Sequence, residues 1–118
     1  MVVGSIRILP LRDRRAEVLE ILRSVQGPAR AQPGCLACDI YEEQGPENAV
    51  VLVERFGSSE ALEEHLRSEV YRRILGAVEL SRGRPEIRFE TVSASEGIEL
   101  IERHRLAVTG LPAKGDKS

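Results

Sequence analysis

Few side chains in this sequence are equipped for chemistry, and His65 is the first of them. An imidazole titrates nearest to neutrality of any side chain, which suits it to take a proton from an acidic phenol. His65 stands beside Leu66 and one turn after Ala61, at the border of an apolar helix face, where it could point into a pocket. The plainer reading is a structural histidine that caps or hydrogen-bonds near Ser68. Tyr71 and Tyr41 could orient a substrate oxygen, or simply bury their rings. With Phe56 and Phe89 they are the whole aromatic complement, so Phe56 is also a candidate to line a pocket. Glu54 falls in an apolar stretch and needs a partner if it faces inward. Arg88, Arg7 and Arg55 on neighbouring strands are the candidate partners, and Arg88 could reach a substrate as well. An ion pair is the plainer role for Glu54, acid–base work the sharper one.

Cys35 and Cys38 form a lone Cys-x-x-Cys. A structural zinc site needs four ligands, and no second Cys or His pair stands nearby. The run from Cys35 to Tyr41 also reads as a strand, in which three residues span about 10 Å, beyond the ~7 Å that a disulfide tolerates between Cα atoms. The pair is therefore read as two small, semi-buried hydrophobes. His104, among Glu102, Arg103 and Arg105, reads as a surface residue, and so does the charge run 12–15. No Ser-His-Asp order, phosphate-cradling glycine loop or metal-ligand spacing is present, so no metal and no cofactor are expected.

These residues have to be positioned by regular elements. Residues 2–9 read as a strand with Val3, Ser5 and Arg7 on one face and Val2, Ile6 and Ile8 on the other, and Pro10 ends it. From about Asp13, a candidate N-cap, apolar residues recur at helical spacing through Val25. Gly27 and Pro28 weaken that helix, and Pro33-Gly34 stops the connection. Strands follow over 35–43 and 49–56, joined across a Gly/Pro/Asn turn as an antiparallel hairpin. Ser58 or Ser59 caps a second helical region with a break at Ser68, and Gly83 and Pro85 close it before a strand over 86–92. A short helix is expected over about 95–105, then a disordered polar tail over 109–118. The order β-α-β-β-α-β is the split ferredoxin-like unit: α+β, an antiparallel sheet with two helices on one face. The domain reading is 1–93 for this unit, 94–108 for a helix packed on it or on a partner, and 109–118 for the tail. Residues 50–53 are apolar on both faces, which a wet sheet surface does not explain. Packing two sheets face to face in a homodimer is the economical solution.

With 118 residues, one modest core is feasible and two are not. A net charge of -2 favours neither nucleic acid nor an anionic membrane, so neither is expected as a partner. The longest apolar run, residues 49–53, falls far short of a membrane span. The first residues carry one basic side chain, Arg7, and no long apolar stretch, so a secretory leader is not expected and a cytoplasmic protein is.

Three motifs in this frame resemble a known family. Pro33-Gly34-Cys35 precedes the second strand, Glu54-Arg55-Phe56 ends the third, and His65-Leu66-Arg67-Ser68 stands on the following helix. Together the stretches 32–41 and 51–71 resemble the antibiotic biosynthesis monooxygenase (ABM) domain family, and the likeness runs over roughly residues 2–92. The resemblance implies a dimeric α+β barrel with a pocket between sheet and helices in each protomer. It also implies several chemistries. Some members oxygenate quinol- or anthrone-type compounds with O2 and neither metal nor flavin, some degrade haem, and some isomerise small signalling sugars. Where the polyketide-oxidising branch carries Asn, Trp and Tyr, this chain aligns Ala61, His65 and Tyr71, keeping only the tyrosine. Where the haem-degrading branch carries its axial His, the chain has Leu75, and it has no Trp at all. The reading that results is a cofactor-independent monooxygenase of a small hydrophobic or aromatic substrate, hydroquinone- or anthrone-like. His65 and Tyr71 are its catalytic residues, and Tyr41, Glu54, Phe56 and Arg88 its substrate-binding ones. The alternatives are a non-catalytic ligand-binding dimer and an isomerase of the same fold.

Overall fold

Alternation along four strands sorts their side chains onto two faces, and that sorting decides what can meet in this fold. The computed structural model describes residues 1–105. Its strands are β1 (Val2–Ile8), β2 (Cys35–Glu42), β3 (Val50–Phe56) and β4 (Glu86–Thr91). Its helices are α1 (Arg15–Arg30), α2 (Ser59–Leu66), α3 (Glu69–Val78) and α4 (Ile98–His104). The sheet order is β2-β3-β1-β4 and every pairing is antiparallel, the ferredoxin-like arrangement expected from the element order.

Along β1 and β3 burial alternates: Val2, Ile6 and Ile8, and Val50, Leu52, Glu54 and Phe56, face inward. Ile6, Ile8, Val50 and Leu52 meet Val18, Leu22 and Val25 of α1 and Ile74 and Ala77 of α3 in one core. Burying each large aliphatic side chain contributes about 1.5–3 kcal/mol, so this stripe dominates the stability of the fold. The opposite sheet face carries Val3, Ser5, Arg7, Val51 and Val53, all half-buried. Arg7 there is gripped by Glu43 through bonds of 2.8 and 2.7 Å, which holds the Glu43 carboxyl below its ordinary range.

Local chemistry sets the boundaries. Ser58 caps α2 by accepting from the Ala61 amide, and Ser68 caps α3 by accepting from the Tyr71 amide. The second helical region therefore breaks where the sequence suggests, at Ser68. Asp13 is not the cap of α1. It takes φ +67° inside a turn closed by Arg14 N–H to Leu11 O at 2.9 Å, and Arg14 stands at the N-cap without a side-chain bond. α1 runs on through Gly27 and Pro28 to Arg30. A proline in the last turn forfeits a single backbone bond, and the buried Val25 and Ala29 hold that turn on the core.

β2 carries a bulge between Cys35 and Ala37, so Cys35 pairs with Phe56 and Cys38 with Glu54. A regular strand would put the two thiols on opposite faces; the extra residue puts both on the helix side. Both are free. Burial, with the Glu54 charge beside it, pushes the Cys38 thiol up to about 12, so it stays protonated and inert. β4 is exposed along its length, and α4 has no buried residue. The tail expected over 109–118 and the last residues of the expected 94–108 segment lie outside the described residues.

Candidate active site

Among the described residues the most buried polar side chain is His65, 1% exposed at the end of α2. Helical spacing puts it on the face of α2 that also carries the half-buried Ala61 and Leu62, and that face looks down on β3. Beneath it lies Glu54, 4% exposed, between Gly4 of β1 and Cys38 of β2 in the sheet. His65 Nε2 and Glu54 Oε2 are 2.7 Å apart. The contact is close but out of line, so neither atom has an aligned hydrogen-bond partner. On the other side of the ring, Nδ1 lies 2.5 Å from Gln32 Oε1. Phe56 packs at 4.9 Å between ring centroids, and Tyr71 meets the imidazole edge-on at 5.2 Å. Burial, and secondarily the Glu54 charge, raises the Tyr71 phenol above its ordinary value, so it is a hydrogen-bond donor at neutral pH.

Gln32 arrives by way of the tight connection between α1 and β2. Its own N–H donates to Ala29 O at 3.1 Å, and its carbonyl accepts from Cys35 N–H at 3.1 Å. Gly34 follows at φ +81°, and its carbonyl accepts from Gly57 N–H at 2.9 Å. A Cβ at Gly34 would stand 2.5 Å from the Ala61 Cβ, so the connection sits flush on α2 only because that position has no side chain. Between the two runs a cleft of about 400 Å3 lined by Gln32, Pro33, Gly34, Ala61, His65 and Ser68, with Glu60 and Glu64 also on its wall. That volume suits a small molecule. Ser68 donates its hydroxyl to His65 O at 2.6 Å, which ties the histidine to the break between α2 and α3.

The fold thus brings together four of the six residues singled out from sequence: His65, Tyr71, Glu54 and Phe56. It puts Tyr41 and Arg88 elsewhere. Both point away from the helices, Tyr41 opposite Val51 and Arg88 opposite Ser5, and Tyr41 is 56% exposed. Parity also settles the partner of Glu54. Arg7, Arg55 and Arg88 all belong to the other face, and the carboxylate meets an imidazole in place of a guanidinium. Gln32 was missed by sequence reasoning, because a lone amide before Pro-Gly has no periodicity to give it a face. Its position in the Gln32-Pro33-Gly34-Cys35 run was the available signal.

Comparison with known proteins places this geometry in a class. The family model described as "Antibiotic biosynthesis monooxygenase" matches residues 1–77, well over half of the chain. The chain belongs to the ABM family. Among curated proteins it is similar to the Mycobacterium tuberculosis protein named "Putative monooxygenase Rv0793", 39% identical over 66 residues, which cover 55% of this chain and 63% of that one. It is also similar to "Uncharacterized protein sll1783" of Synechocystis, 25% identical over 71 residues, covering 60% and 47%. The matched stretches span about half to under two-thirds of these curated relatives. The solved structure of Rv0793 superposes with a TM-score of 0.72 at 29% identity, over 81% of this chain and 98% of that one. A Deinococcus radiodurans structure described as "a putative antibiotic biosynthesis monooxygenase" gives a TM-score of 0.73 at 18% identity, over 83% of this chain and 98% of that one, a likeness of fold. No described helix is long and apolar enough to cross a membrane.

Proposed function

We propose that the chain is a cofactor-independent monooxygenase acting with O2 on a small hydroquinone- or anthrone-like substrate, with His65 as its base. The observation that carries this reading is a buried imidazole on the wall of a cleft, with a carboxylate 2.7 Å behind it. Proton transfer from an acidic C–H or O–H of the substrate to the ring makes the substrate electron-rich enough to reduce O2. An anthrone methylene then becomes a carbonyl with one oxygen atom, and the other leaves as water, so four electrons pass from carbon to oxygen. Glu54 stabilises the imidazolium that forms, and Tyr71 and Phe56 hold the ring plane. The partner in this reading is a second copy of the chain, packed on the open sheet face, with Tyr41 and Arg88 at that interface. Its two free thiols fit a cytoplasmic setting.

The test is oxygen uptake over a panel of hydroquinones and anthrones, wild type beside His65→Gln. Glutamine keeps a polar group for both Gln32 and Glu54 but takes no proton. Expected is uptake above the uncatalysed rate that falls by at least about tenfold in the variant, or about 1.4 kcal/mol of transition-state stabilisation, at unchanged melting temperature. Wild type that adds nothing to the uncatalysed rate rejects the oxygenase. The same His65–Glu54 pair also suits proton shuffling, and solvent deuterium entering a bound substrate without oxygen uptake would mark an isomerase.

A further inference from the structure

Both nitrogens of the proposed base have a polar neighbour, though only Nδ1 has an aligned one. Nε2 faces the Glu54 carboxylate from the sheet side, and Nδ1 faces the carboxamide of Gln32, a residue that walls the cleft. A ligand in the cleft can reach the ring only through Nδ1, and Gln32 stands there first. We propose that Gln32 is a displaceable gate: its carboxamide fills the subsite of a ligand hydroxyl on His65, and the ligand that replaces it is a neutral phenol. The proposal rests on the reading of His65 as the working group of the cleft.

Three observations support it. First, the backbone does not need to move. Residues 32–35 are pinned by Cys35 N–H to Gln32 O and by Gly57 N–H to Gly34 O, while the partly buried Gln32 side chain has only one bond holding it, the one to Nδ1. Release is a rotamer change, fast on the scale of turnover. Second, polarity matches a hydroxyl. The atom of Gln32 at Nδ1 is its carboxamide oxygen, 2.5 Å away, and the oxygen of a phenol O–H can take the same place on the ring. Third, the charges disfavour an anion. An anionic ligand at Nδ1 would place a second negative charge across the ring from the buried Glu54, with Glu60 and Glu64 also on the cleft wall.

A gate that must open lowers apparent affinity by the fraction of molecules open, so removing it tightens binding. The experiment is phenol titration at pH 7 into protein with 15N-labelled histidine, following the His65 ring nitrogens, for wild type, Gln32→Ala and Gln32→Asn, which is one methylene too short to reach. Expected is that phenol shifts Nδ1 in all three and that Kd falls by about fivefold or more in both variants, as loss of one competing hydrogen bond implies. Phenol that shifts Nδ1 with equal or weaker affinity in the variants overturns the gate and leaves the His65 site standing. Phenol that shifts no His65 nitrogen in any form overturns both. Benzoate, an anion of the same size, is expected to leave the resonances in place; a shift equal to that from phenol overturns the neutral-ligand assignment.

Discussion

A carboxylate and an imidazole taken out of water together stabilise each other only as a pair. His65→Ala would leave Glu54 charged and alone beneath α2, so a loss of about 3–5 kcal/mol is expected in urea unfolding. Adding Glu54→Leu should recover most of that loss, since an apolar residue needs no partner there; a double variant as unstable as the single one would contradict this account. Two neighbouring groups set the alkaline limit. Folding raises the Cys38 thiol from 9.0 to about 12 and raises the Tyr71 phenol as well, so both favour their neutral forms in the native state. A group raised on folding contributes stability that is complete below its unfolded pKa and lost as pH climbs toward the folded one. Unfolding free energy should therefore fall from about pH 9 toward 12, and Cys38→Ala should flatten that slope. At this scale His65, Tyr71, Glu54 and Phe56 were legible because residue type and alternation both mark them. Gln32 was not, because its place on Nδ1 comes from a loop seated on a helix 33 residues further on.

Elements carry the next set of consequences. Ser68 serves two segments, donating to His65 O and accepting from the Tyr71 amide. Ser68→Ala should cost about 0.5–2 kcal/mol in denaturant unfolding, the usual range for a lost N-cap. Gly34 faces two constraints that can be separated. Gly34→Ala meets both the 2.5 Å approach to Ala61 and the positive φ, and should destabilise by about 2–3 kcal/mol. The double variant with Ala61→Gly should regain the steric part alone, and full recovery would show that the backbone angle costs nothing. The break at Ser68 and the order of the strands could be read from the chain, since caps, turns and apolar periods are local signals. The bulge at Cys35–Ala37 could not, because it exists only against the register of β3. Asp13 illustrates a further limit: the same residue type serves caps and left-handed turns, and only the packing of residues 11–14 chooses.

For the whole molecule, the open sheet face is the feature that asks for a partner. Val51 and Val53 are half-buried on the face away from α1 and α3, next to Tyr41 and the Arg7–Glu43 pair. The proposed homodimer covers this face, so sedimentation equilibrium should return twice the chain mass. Val53→Asp should return the single mass with the far-UV spectrum intact; a monomeric wild type would remove the partner from the proposal. The two-sided apolar character of β3 was visible in the sequence and, with the family resemblance, is the reason for expecting a dimer. What covers β4, with Ile87 and Phe89 each 43% exposed, was not.

Gln32, Glu54, Phe56, His65 and Tyr71 all fall within a span of forty residues that ends before α3 does. Among the described residues, nothing after that span, β4 and α4 included, lines the cleft. Substitutions in β4 therefore leave the lining of the cleft in place, while substitutions within residues 32–71 reach both the cleft and, through Tyr41, Val51 and Val53, the open sheet face.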